Sequence, residues 1–152
     1  MLRDPSLVPL SHQHHDALVL CVEIRRGLAN PARDKILALA RRTANFGAVQ
    51  LENHFGVEES ILFPAIREKL GPLPLIEELV EDHRRMKSLA TRAARAEQGE
   101  QAEILRQFAE LLDAHIRREE GELFEDIQIR LPAETLQQLG RAIKAEVARA
   151  CV

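Results

Sequence analysis

Apolar residues recur at three- and four-residue intervals along most of the chain, and no stretch alternates strictly, so the pattern predicts helices and no strands. The first run follows Ser11, a plausible N-cap, and continues to Leu28 before Asn30-Pro31 stops it. The second begins near Ala32 and runs to Leu70, ending at Gly71-Pro72, with a local kink expected at Pro64. A third spans about Leu75 to Glu97 and stops near Gly99, and a fourth spans about Glu100 to Arg130 and stops at Leu131-Pro132. Ala133 to Ala150 predict a fifth, amphipathic helix packed on the outside. Short connections between long helices favour antiparallel neighbours. The expected fold is therefore all-α: an up-down-up-down four-helix bundle over about residues 10–130, with a short additional C-terminal helix over about 133–150, in one domain spanning 1–152.

One internal repeat cuts across this plan. Residues 54–66 read HFGVEESILFPAI and residues 115–127 read HIRREEGELFEDI; without gaps they place His54 over His115, Glu58 over Glu119 and Phe63 over Phe124. Each copy is preceded by a helix with its own histidine, His83 in VEDHRRM and one of His12, His14 or His15 in LSHQHHDAL. The chain looks like two related helical hairpins.

Histidine and glutamate four residues apart stand one turn apart on the same helix face, so both can reach one ion. That face is apolar: His115 is in register with Phe108, Leu111, Leu112 and Leu123, His54 with Leu51, Ile61 and Leu62, and His83 with Ile76, Leu79, Val80, Met86, Leu89 and Ala90. At about 100° per residue, His14 shares its face with Ala17, Leu18, Cys21 and Leu28, whereas His15 lies about 100° away and His12 nearly opposite. His14 is the inward residue of the three on this geometry, with His15 able to reach the site only if the helix is rotated. Two carboxylates in an apolar interior are costly unless paired, protonated or bound to metal, and no inward Lys or Arg is evident beside them. The predicted site is a metal site of His14, His54, Glu58, His83, His115 and Glu119. If both carboxylates bridge two ions, each ion receives about two nitrogens and two oxygens, and a water-derived oxo or hydroxo bridge leaves a position open. Imidazole with carboxylate suits iron, zinc or manganese, and the bridging geometry with no thiolate leans toward two iron ions, with zinc as a substitute. Glu59 and Glu120 read as solvated groups or as groups orienting a histidine ring. Lys87 reads as reaching solvent, and the Arg92–Arg95 and Arg117-Arg118 segments as solvated faces.

Composition narrows the partners. At 152 residues and 45% hydrophobic content the chain can bury one continuous core, and a net charge of -3 with 21 basic among 24 acidic residues offers no surface for nucleic acid. No stretch approaches the ~18 apolar residues of a membrane span, and Pro5 and Pro9 break the N-terminus as a signal peptide. Two cysteines, Cys21 and Cys151, make no disulfide framework, and Cys21 reads as a small buried apolar residue. A cytoplasmic location is expected.

The motifs HFGVEESILFP and HIRREEGELFEDI, supported by EDHRRM and by Gln13-His14, resemble those of the hemerythrins and the wider hemerythrin-like (HHE cation-binding) domains over about residues 10–130. The resemblance implies a non-haem di-iron centre in a four-helix bundle that binds dioxygen or responds to oxygen, nitric oxide or iron. This chain departs from the oxygen carriers in two places: Lys87 stands where their third helix has a second histidine, and Glu119, four residues after His115, stands where they have a bridging Asp at five. It is closer to relatives with a more symmetric ligand set. A module that binds or senses a small diatomic ligand or iron is the leading expectation, its signal passing through a second copy of the chain or another protein. A di-iron oxidoreductase acting on ferrous iron, peroxide or nitric oxide, and a zinc-stabilised structural bundle, are the alternatives.

Overall fold

The computed structural model describes residues 2–149, so Ala150 and Cys151 lie outside the described residues. Among the described residues there are five helices and no strand. They are α1 (Val8–Ala29), α2 (residues 33–70), α3 (Pro74–Ala93), α4 (residues 98–130) and α5 (Ala133–Arg149). No described helix is long and apolar enough to cross a membrane. Helix α1 packs along α4, α3 lies against both α2 and α4, and α5 touches α1 and the middle of α2.

Several predicted boundaries move. Helix α1 begins at Val8 rather than behind Ser11, because Asp4 turns the chain first: the Asp4 side chain accepts from the Ser6 N–H (2.9 Å) and its carbonyl from Leu7 (3.0 Å). Pro9 is then tolerated in the first turn, where its missing N–H costs nothing. Helix α3 ends at Ala93, not Glu97, in a tight turn whose Arg92 carbonyl accepts from both Arg95 and Ala96. Helix α4 starts at Gln98, with Glu97 extended as its cap residue, and takes Gly99 into its first turn. Gly71 ends α2 at φ 79°, a left-handed conformation that glycine adopts without strain.

The expected kink at Pro64 takes a different form. Just before it, at Glu58–Leu62, α2 makes a π-helical turn, which inserts one extra residue. Helix α4 makes the matching turn at Glu119–Leu123, with Glu125 in the place of Pro64. The proline is therefore not its cause; the turn belongs to the repeated motif. A further π turn in α2, at Gly47–Leu51, has no counterpart in α4.

Burial divides the interior into two apolar clusters. One contains Leu20, Ile24, Phe55, Met86, Leu105 and Phe108; the other contains Leu10, Leu62, Phe63, Ile76, Leu79 and Phe124. Helix α5 does not lie merely on the outside, since Leu136, Leu139 and Ile143 are buried in the second cluster. A Cβ at Gly140 would come within 2.9 Å of Ser6, so the absence of a side chain there lets the N-terminal segment lie directly on α5.

Candidate metal centre

Between the two apolar clusters sits a polar layer contributed by four helices. His14 comes from α1, His54 and Glu58 from α2, His83 from α3, and His115 and Glu119 from α4. Glu58, His83 and Glu119 are fully buried, and none of the other three exceeds 4% exposure. His12 and His15 are exposed. In each copy of the repeat the glutamate is the first residue of the π turn, so its side chain points inward beside the histidine of the preceding α-helical turn.

The six side chains form two overlapping groups, each able to hold a metal ion. His14 and His54 make one with Glu58 and Glu119; His83 and His115 make the other with the same two carboxylates. The two oxygens of Glu58 face different histidines, Oε1 lying 3.4 Å from His54 Nε2 and Oε2 3.3 Å from His83 Nε2. Glu119 Oε2 lies 3.0 Å from His14 Nε2 and 3.3 Å from His115 Nε2.

Hydrogen bonds behind the rings set their tautomers. His14 Nδ1–H donates to Glu120 Oε1 (2.6 Å), and His83 Nδ1–H donates to Glu59 Oε1 (2.7 Å). His54 Nδ1–H donates to Gln13 Oε1 (2.9 Å), whose amide is oriented by donating to Asn53 Oδ1 (2.8 Å). Behind His115, Asp82 Oδ2 stands at 3.6 Å, too far for a hydrogen bond. With Nδ1–H turned outward, neutral rings point Nε2 lone pairs into the layer. The Nε2 atoms of His14 and His54 are 3.0 Å apart. Two lone pairs at that distance repel unless a proton or a cation lies between them, and nitrogens about 2.1 Å from one ion, at right angles, stand about 3.0 Å apart.

The donor set fits a metal on a second count. Both oxygens of Glu58 and of Glu119, Nε2 of His83 and both ring nitrogens of His115 are buried with no hydrogen-bond partner. Buried polar atoms are nearly always satisfied, and an ionised carboxylate taken out of water costs several kcal/mol. Atoms of this kind converging on two points are what cation binding would compensate.

In the metal-free chain protons take that role. Burial alone would depress His14, but the Glu119 carboxylate beside it and its hydrogen bond to Glu120 outweigh it and raise its pKa to about 10. Burial likewise opposes protonation of His83, and Glu58 overcomes it, raising His83. Burial and then the Glu119 charge push Glu58 up. Burial would also raise Glu119, yet His115 and His14 hold it well below the carboxylate range. Burial and the neighbouring His14 charge keep His54 neutral.

Aromatic rings differ at the two ends. Phe55 stacks on His83 with centroids 3.8 Å apart and rings 11° from parallel, and Phe63 lies beyond at 6.0 Å. A cleft of about 740 Å³ reaches His14, His54 and His115 but not His83, with Phe46, Phe55, Leu112 and Ile116 among its walls and Lys144 of α5 also lining it. Lys87 pairs with Glu52 (2.9 Å), away from the layer. Cys21 is buried, which pushes its thiol up to about 11 and leaves it a packing residue.

Sequence reasoning left Glu59 and Glu120 between two roles and did not single out Asp82 or Asn53; Gln13 was noted only as the neighbour of His14. A carboxylate directly after each inward glutamate was the available signal for the first two. The model of the hemerythrin HHE cation-binding domain matches residues 7–127. No curated protein and no solved structure matches the chain.

Proposed function

Because the chain belongs to the hemerythrin HHE cation-binding family, we propose that its six buried residues hold two iron ions and that the pair binds a small diatomic ligand, dioxygen or nitric oxide. His14 and His54 would hold one ion and His83 and His115 the other, with Glu58 and Glu119 shared. The observation that carries this reading is that sharing: two four-residue groups with the same two carboxylates in both. Iron bound there would supply an open coordination position and one-electron chemistry. The protein's own part is to exclude water, fix the rings through Glu59, Glu120 and Gln13, and leave one approach open. Phe55 and Phe63 pack on the His83 ring, whereas the cleft admits a ligand beside His14, His54 and His115. That opening favours a binding or sensing role over a purely structural zinc site, which needs no access. We read the helices as an up-down-up-down bundle working in the cytoplasm, relaying its state to a second copy or another protein.

The test is to purify the chain from iron-replete cells, reduce it anaerobically and titrate nitric oxide and then dioxygen while following the visible spectrum. Saturable changes with both iron ions bound support the reading; a single tightly held zinc and no spectral response would overturn it.

A further inference from the structure

The groups behind the four histidines are not equivalent, and the difference is one of charge. Behind His14, Glu120 receives more than the ring: Ser11 Oγ–H donates to it at 2.7 Å and Arg3 Nη2 at 2.6 Å, and Arg3 also donates to the Glu120 carbonyl at 2.8 Å. Arg3 lies 5.3 Å over the Phe124 ring, and Arg3 and Glu120 are only 19% and 29% exposed, so solvent screens their pairing little. Behind His54 is the neutral Gln13 amide. The outer partners of this position therefore sum to roughly no charge.

At the other position Glu59 holds His83 with no further hydrogen bond or ion pair among the described residues. Asp82 stands behind His115, and the cations beside it among the described residues, Arg85 and Arg118, come no closer than 3.6 Å, with Arg118 also bonded to Glu78. These outer partners are net negative. A ring whose Nδ1–H faces an unneutralised carboxylate gains imidazolate character and becomes a stronger donor to its metal.

We propose that Arg3 is a positioning residue for the metal centre: by neutralising Glu120 it makes His14 the weaker donor, so that the position of His14 and His54 binds a divalent ion more loosely than that of His83 and His115. Because less negative outer partners disfavour a ferric ion more than a ferrous one, an external one-electron reductant would reduce an iron held by His14 and His54 first. The proposal rests on the two-metal reading above, but its test does not require that the metal be iron.

The experiment is a cobalt(II) titration of the full chain, followed by visible absorption, for the wild type, Arg3→Gln, Arg3→Lys and Gln13→Glu. The wild type should fill in two steps. Arg3→Gln should tighten the weaker step about tenfold, within the range that outer partners of metal ligands command, and leave the tighter step in place. Arg3→Lys should behave as the wild type. Gln13→Glu, which leaves the N-terminal segment alone, should tighten the same weaker step through His54. If Arg3 only pinned the segment down, Arg3→Gln would loosen the weaker step; that result, no change, or a Gln13→Glu variant that leaves the step unmoved would overturn the proposal. A protein that purifies with zinc alone but shows these shifts would overturn the iron reading and keep this one, while failure to bind any cobalt would overturn both.

Discussion

The two positions of the polar layer are built from the same sequence motif and differ in what surrounds them. In both copies a histidine is followed four residues later by a buried glutamate that opens a π turn, and a second glutamate beside it reaches across to another helix. The reach is crossed: Glu59 of α2 holds His83 of α3, and Glu120 of α4 holds His14 of α1. Even the stacking repeats, with Phe63 over His83 and its counterpart Phe124 over His14 at 5.6 Å. The copies differ at several positions, among them Phe55, packed flat on His83, which corresponds to Ile116; both line the cleft. Duplication thus supplies the candidate ligands twice, whereas the surroundings of the two positions differ through such exchanges, together with the unrepeated N-terminal segment and α5.

The strongest way to break the comparison is to remove what the positions share. Glu119→Ala or Glu58→Ala should drop metal content from about two ions per chain to below one, while His54→Ala or His83→Ala should keep about one, as inductively coupled plasma analysis would read. In the same assay His14→Ala should lose metal and His15→Ala should not, in keeping with the burial of the first ring and the exposure of the second.

Next in size are the crossed glutamates. Glu59→Gln should weaken metal binding at the His83 position and Glu120→Gln at the His14 position, each by about 10–100-fold in a competitive chelator titration. A variant that weakened the position on its own helix instead would contradict the crossed arrangement.

Ile116→Phe makes the two halves alike at that position. It should fill the cleft beside His14 and slow the association of azide or nitric oxide about tenfold, an effect of ~1.4 kcal/mol on the barrier. Stopped-flow rates unchanged by this substitution would show that the cleft is not the route.

The smallest effect concerns protons. His14, raised to about 10, contributes stability to the metal-free chain that is complete below its ordinary pKa of 6.5 and is lost as pH rises toward 10. A metal must displace that proton, so binding should release protons at neutral pH and tighten as pH rises, by up to about tenfold per unit for each proton lost. Calorimetry in buffers of different ionisation enthalpy reads the number released.

Much of this was legible from residue spacing. Periodicity marked out five helices, and the His-x-x-x-Glu repeat, the angular position of His14 and the apolar stripe around His83 singled out six residues that the fold brings into one layer. What escaped depends on backbone geometry or on contacts between distant segments. The π turns carry no residue type of their own, as Glu125 in the place of Pro64 demonstrates. Ser11 read as a helix cap because serine before an apolar run usually is one; here Asp4 turns the chain earlier and Ser11 is spent on Glu120, 109 residues away. Arg3 acts across a similar gap and Asp82 across the turn between two helices, for which a single sequence holds no local signal.

The most direct test of the central claim, two positions that share Glu58 and Glu119, is the iron content of the wild-type chain and of Glu119→Ala after reconstitution under identical anaerobic conditions. About two irons per wild-type chain, falling below one in the variant, is the predicted result; a single metal per chain that survives the loss of Glu119 would contradict it.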